Sequence, residues 1–195
     1  MTYPNEFTPS DTITVPLPSG AAIDLPVVNL ILKPWLGKLP DFSFGNKPFV
    51  DYKGEGIFAE LAILKMFTNS GWNGTWVETY GGIHFLNEMP IGWKTSKHNI
   101  SIPSDKEKIL RDIWKAGKTT ACFDVFLWKD NEILFCEGKH KGKDRLTNAQ
   151  TKFIESVLAY GISPKSLIIV EWDYKSRQTS NASSSSSRPV SSLSS

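Results

Sequence analysis

Thr120-Ala-Cys-Phe-Asp-Val-Phe-Leu-Trp-Lys-Asp-Asn-Glu-Ile-Leu-Phe-Cys-Glu-Gly-Lys139 consists of two apolar runs joined by a polar tetrapeptide, and how they pair decides how the rest of the chain is read. The linker Lys129-Asp-Asn-Glu132 has the turn chemistry of a β-hairpin. A turn centred on Asp130-Asn131 sets Trp128 opposite Ile133, Phe126 opposite Phe135, and Asp124 opposite Glu137. Lys139, two residues beyond Glu137, then shares their face.

Two carboxylates facing each other on a sheet repel, and burial strips their hydration as well. A solvated face paired with lysines would explain an isolated Asp and E-x-K. Here the same face carries Cys122, Phe126, Trp128, Ile133 and Phe135, so it is not a solvated face. A divalent cation relieves both costs. Oxygen ligands select a hard ion, Mg²⁺ or Mn²⁺, over zinc, and Lys139 is placed to orient or polarise an attacking water.

A chain of 195 residues supplies one well-buried domain, and 40% hydrophobic residues are enough for its core. The formal charge of +2 is too small to imply a polyanion partner, so any such argument must rest on local charge. Cys122 and Cys136 fall on opposite faces of neighbouring strands, which argues against a disulfide and fits a reducing compartment. No signal peptide opens the chain and no apolar stretch approaches the roughly 20 residues of a bilayer span, so a soluble, cytoplasmic protein with no membrane partner is expected. The sequons at Asn73, Asn99 and Asn181 are then chance occurrences.

Composition divides the chain into three. Residues 1–45 are rich in proline and read as an arm packed on the core, with a small hairpin around Pro18-Ser19-Gly20. Residues 46–175 form the main domain. Residues 176–195 are dominated by serine and cannot bury enough surface to offset their ordering entropy, so disorder is expected. Within the domain, helical periodicity runs from Gly54 to Thr68, then strands from Trp72 to Tyr80 and Ile83 to Leu86. A helix from Pro103 to Ala116, closed by Gly117, precedes the hairpin; a helix from Asn148 to Tyr160 follows it. The apolar run Ser166 to Trp172 reads as a strand covered on both faces. This is an α/β chain with a mixed sheet flanked by helices, in the order α-β-β-β-α-β.

Two further residues stand out. Glu60 falls on the apolar stripe of Ile57, Leu61, Leu64 and Phe67, where a carboxylate is costly unless paired; a buried ion pair or a place at the stripe margin explains it as well as a functional role. Thr147 and Gln150 match the S/T-x-x-E/Q capping box. Gln150 is also on the inward stripe with Ile154 and Val157, aimed toward the carboxylates. Both readings stay open.

Asp124 followed by Glu137-Gly138-Lys139 resembles the D-x(n)-(D/E)-x-K signature of the PD-(D/E)XK nuclease superfamily, with Phe123 where proline often precedes the aspartate. Glu60, with Gly71-Trp72 after it, is similar to the first-helix glutamate and helix-ending glycine of archaeal Holliday-junction resolvases. Arg145-Leu-Thr-Asn-Ala-Gln150 resembles the segment after E-x-K in VRR-NUC domains. The likeness spans about Lys53 to Trp172 and is one of pattern and element order; residues 81–118 exceed the minimal core and read as an insertion, in which Lys94, Lys97, Lys106, Lys108 and Arg111 are either substrate contacts or solvated surface.

The resemblance implies a restriction-endonuclease-like core and a metal-dependent endonuclease hydrolysing phosphodiesters. Asp124, Glu137 and the Gly138 carbonyl would hold Mg²⁺ or Mn²⁺, Glu60 would bind a second metal or a water, and Lys139 would activate the nucleophile beside Gln150. Lys141, Lys143, Arg145 and Lys152 would contact phosphates. DNA is expected over RNA because the similar families act on it, and a homodimer is expected because such resolvases dimerise. The alternatives are a nucleic-acid-binding module on a degenerate nuclease fold and an RNA-cleaving toxin. His84, His98 and His140 show no metal-ligand spacing; His140 is expected at the surface or on the substrate side, and His84 in a structural role.

Overall fold

Residues 3–39, 47–79, 81–90 and 99–175 are described by the computed structural model of the chain. Among them the strands are β1 (Asp11–Pro16), β2 (Ala22–Pro34), β3 (Phe49–Tyr52), β4 (Glu55–Phe58), β5 (Asn73–Glu78), β6 (His84–Leu86), β7 (Val125–Lys129), β8 (Glu132–His140) and β9 (Leu167–Tyr174). The helices are α1 (Ala59–Asn69), α2 (Ser104–Gly117) and α3 (Asn148–Ala159). The serine-rich tail, together with Lys94 and Lys97 of the expected insertion, lies outside the described residues.

β7 and β8 form the expected hairpin in the expected register, with Phe126 opposite Phe135 and Trp128 opposite Ile133. Asp130 opens the two-residue turn at φ 50°, a left-handed conformation that aspartate tolerates better than most side chains. The sheet order is β4-β3-β2-β9-β8-β7-β5-β6, with β1 also paired to β2. β9 runs parallel to both β2 and β8, and the other pairings are antiparallel, so the sheet is mixed. A parallel return from β8 to β9 requires a crossover, which α3 supplies.

Alternation along β9 divides the core in two: Ile168, Val170 and Trp172 face α1, whereas Leu167 and Ile169 face α2 and α3. α1 presents Leu61, Leu64 and Phe67 to Leu134 and Cys136. On the other side, Leu110, Ile113, Phe153 and Val157 pack on Phe126 and Phe135. Each such fully buried side chain contributes about 1.5–3 kcal/mol. Cys122 and Cys136 are free thiols packed in different cores. Among the described residues no helix is long and apolar enough to cross a membrane.

Three expectations change. The described part of residues 1–45 is not an arm laid on the core, because β2 lies inside the sheet beside β9 and buries Val27, Val28, Leu30 and Leu32. Its prolines are tolerated because Pro26 precedes the segment paired with β9, residues 27–32, and Pro34 ends the strand. The helix expected from Gly54 begins at Ala59, because residues 55–58 pair with β3 and bury Ile57 and Phe58 as strand residues. Glu60 is therefore in the first turn of α1. Gly117 does not stop α2 from outside; Lys118 takes the left-handed cap at φ 46°. A Cβ on Gly117 would fall 1.8 Å from Ser156 Oγ, so glycine there permits the close approach of α2 to α3. Of the stretch read as an insertion, residues 84–86 supply an end strand of the described sheet and residues 104–117 a helix of the second core.

Candidate active site

Backbone pairing between β7 and β8 ends at Val125 and Cys136. Beyond it the Asp124 carbonyl is engaged by Val77 N–H at 2.8 Å, and the Asp124 carboxylate takes over the link to β8, accepting the Gly138 N–H at 2.9 Å. A side chain thus replaces a rung of the ladder at the point where Glu137, Gly138 and Lys139 emerge. A Cβ on Gly138 would lie 3.5 Å from Asp124 Oδ2 and 3.8 Å from Glu60 Cγ. Asp124 and Glu60 therefore border the same small space beside a side-chain-free backbone.

Glu137 is 2% exposed, and its Oε1 accepts from Lys139 Nζ at 2.9 Å and from Gln150 Nε2. Gln150 Oε1 accepts from the same ammonium at 3.0 Å. That oxygen also accepts the Thr147 N–H at 2.9 Å while Thr147 Oγ1 accepts from Gln150 N–H, which completes the capping box of α3. The two roles read for Gln150 coexist: cap and site clamp are one side chain in one conformation. Lys139 thereby has two of its three donors engaged.

Glu60 is held by a residue the sequence reading missed. Lys47 Nζ lies 2.9 Å from Glu60 Oε1 and is seated over the rings of Phe58 and Trp76, 4.8 and 5.6 Å from their centroids. Lys47 lies just before β3, outside any periodic pattern, and its partner is in another element. The β3–β4 register, continued two residues past Phe49 and Phe58, sets Lys47 opposite Glu60, so reading residues 49–58 as a hairpin would have marked it.

Three carboxylates share this pocket with two ammonium groups, and electrostatics follow from the imbalance. Burial raises the Asp124 carboxyl well above its ordinary range, and Glu137 and Glu60 raise it further against the pull of Lys47. Burial likewise pushes Glu137 up to about 7 even though Lys139 draws it down. Burial lowers the Lys47 ammonium, but Glu60 and Asp124 more than offset that and hold it above its usual value. Glu60 Oε2 and Glu137 Oε2 are buried with no hydrogen-bond partner. A buried acceptor left alone calls for a water or an ion to satisfy it. Among the described residues, no group of three or more His, Cys, Asp or Glu side chains forms a ready-made metal centre. The donor set on offer is instead a carboxylate pair with a neighbouring backbone carbonyl, hard oxygen chemistry suited to Mg²⁺ or Mn²⁺.

The cations expected on phosphates divide. Arg145 and Lys152 line an open cleft that Lys139 also lines. Lys141 is tied to Asn29 Oδ1 at 2.7 Å and lies 3.8 Å from Glu171, and Lys143 sits on an exposed turn. Lys106 is 3.1 Å from Asp105, Lys108 bonds Asp112, and Arg111 bonds Glu107, so these three pair along α2. His140 is not a surface or substrate-side residue: it is buried, stacked 4.2 Å from the ring of Trp172. His84 meets Asn99 Oδ1 at 3.2 Å in the link to β6. Compared with protein-family models, curated proteins and solved structures, the chain matches none.

Proposed function

We propose that the chain is a metal-dependent nuclease that hydrolyses phosphodiester bonds, most plausibly in DNA, on a restriction-endonuclease-like core. The observation that carries this reading is the buried union of Asp124, Glu137, Lys139 and Gln150, with an unsatisfied Glu137 oxygen at its centre. A purely structural cluster has no reason to keep three carboxylates against two lysines and leave two oxygens unpaired.

Asp124, Glu137 and the Gly138 carbonyl would hold Mg²⁺ or Mn²⁺. When bound, such an ion supplies Lewis-acid polarisation of the phosphoryl group and offsets the charge that makes the carboxylates costly. The chain's own residues do the rest. Lys139 has a third N–H for a phosphoryl oxygen, where its charge stabilises the trigonal-bipyramidal transition state of in-line displacement. Gln150 fixes the Lys139 ammonium and Glu137 relative to each other, so the donor is oriented before substrate arrives. Glu60, whose Oε1 is committed to Lys47, acts through its remaining oxygen, positioning a water or a second cation.

The test is cleavage of labelled linear, flapped and four-way DNA, and of single-stranded RNA, with Mg²⁺ or Mn²⁺, by the wild type and by Glu137→Gln and Lys139→Met. Metal-dependent cleavage that both substitutions abolish supports the reading. Cleavage that survives them, or no cleavage together with no Mn²⁺ binding dependent on Asp124 and Glu137, overturns it in favour of a binding module.

A further inference from the structure

Beside the carboxylate cluster runs an open cleft of about 970 Å³, and Lys139 belongs to both. Its floor is the face of β8 and β9 that carries Lys139, Ile169 and Glu171, with Lys139 and Glu171 directly paired in register. One wall is the β1 segment and turn from Ile13 to Pro18, and the other is the loop and first turns of α3 that carry Arg145 and Lys152. From these features we infer that the cleft takes an unpaired nucleic-acid strand, so that the substrate is single-stranded or bears a single-stranded flap. The inference rests on the proposed nuclease reading of the adjoining cluster.

The two walls differ in chemistry as the two sides of an unpaired strand do. Ile13 and Leu17 with the flanking prolines give an apolar, largely aliphatic wall, and Ile13 is 39% exposed there. A duplex hides its base faces; an unpaired strand offers them, and apolar contact with them is insensitive to sequence. Across the cleft, Arg145 has no carboxylate partner among the described residues, and the Lys152 ammonium rests 3.3 Å from the Lys118 carbonyl. These supply two phosphate contacts. The acidic residues of the cleft are already engaged: Asp144 Oδ2 accepts the His140 N–H at 3.0 Å, and Glu171 lies 3.8 Å from Lys141.

Charge and size favour an unpaired strand over a duplex. Duplex DNA presents a charge every ~1.7 Å along its axis and is ordinarily met by a broad cationic face. This chain carries only +2, and its α2 cations are bonded to their own helix. The cleft volume is at the top of the roughly 300–1,000 Å³ range that encloses a compact ligand, enough for a few nucleotides and not for a double helix.

The experiment is fluorescence anisotropy of a short labelled oligonucleotide, single-stranded or annealed to its complement, with the full chain and Ca²⁺ in place of Mg²⁺. Wild type is compared with Ile13→Asp and with Arg145→Ala, both exposed positions, each verified by thermal denaturation. The single strand should bind about tenfold tighter than the duplex, and each substitution should weaken it about tenfold, equivalent to ~1.4 kcal/mol. Equal or tighter duplex binding, or unchanged single-strand binding in both variants, overturns the proposal. Hydrolysis of bis(p-nitrophenyl) phosphate by the wild type with Mn²⁺ reports on the cluster alone. Single-strand binding that obeys these expectations without that hydrolysis upholds the cleft and sinks the nuclease reading.

Discussion

Glu60 and Glu137 are two glutamates on either side of one pocket, each with one oxygen 2.9 Å from a lysine ammonium and the other oxygen buried and unpartnered. They differ in how the lysine is delivered. Lys139 lies two residues from Glu137 on the same strand, so strand periodicity alone puts them on one face, and the cap of α3 completes the clamp. Lys47 lies thirteen positions before Glu60, where the β3–β4 register continued two residues past Phe49 and Phe58 sets the two opposite each other, and it is seated on Phe58 of that hairpin and on Trp76 of β5. The first pair is built within one strand and the second across the turn of the β3–β4 hairpin. The pair within one strand is the more local and the fitter scaffold for the reacting groups; the hairpin pair ties the first turn of α1 to the segment ahead of β3.

The sharpest way to break the comparison is Glu137→Gln against Glu60→Gln. The first should reduce metal-dependent cleavage to background and abolish Mn²⁺ binding measured by calorimetry, whereas the second should leave binding detectable. Lys139→Met should cost about 10²–10³ in the rate of the chemical step, the range for removing one preorganised donor, measured in single turnover. Equal losses for the two glutamates would erase the proposed division of roles.

Stability should sort the pairs in the opposite way. Lys47→Met leaves Glu60 as an uncompensated charge beside two other carboxylates, and with allowance for the partial exposure of Lys47 the loss is roughly 2 kcal/mol, several degrees in Tm. The double variant Lys47→Met/Glu60→Gln should recover much of it. No recovery would mean that the aromatic seat of Lys47, not its ion pair, was what mattered.

pH probes the local pair. The Glu137 carboxyl is raised in the folded state to about 7 from the ordinary 4.5, so the native protein binds its proton more tightly than the unfolded chain. Stability is then fully present below the unfolded value and falls as pH rises toward and through 7. In the absence of divalent ions Tm should drop between pH 5 and pH 8, Glu137→Gln should flatten the drop, and Mn²⁺ should reverse it. A wild-type Tm independent of pH in this window would refute the buried-charge account. The smallest effect belongs to Thr147→Ala: loss of the hydroxyl that accepts the Gln150 backbone N–H should cost about 1 kcal/mol, with little change in rate because the Gln150 side chain keeps the Thr147 N–H.

The hairpin register, the two-sided burial of residues 167–170 and the capping box were all legible from alternation and turn chemistry, because each depends on side-chain period or on neighbours within a few residues. The convergence of Asp124, Glu137, Lys139 and Gln150 was legible for the same reason: register sets the first three, and the cap aims the fourth. The prolines of residues 1–45 misled, since composition does not say that Pro26 and Pro34 fall outside the segment of β2 paired with β9. Residues 55–58 also misled, because Ile57 and Phe58 fit a helical stripe as well as a strand and only pairing with β3 decides between them.

By itself, then, the sequence determined the mixed α/β character of the chain, the hairpin and the acidic cluster with its lysine and glutamine, all consequences of periodicity and local hydrogen bonding. Tertiary structure alone decided that β2 lies within the sheet beside β9 and that β1 walls a cleft leading to Lys139. Those contacts join residues separated by tens of positions, and they are selected by packing and desolvation summed over the whole fold, which no local pattern records.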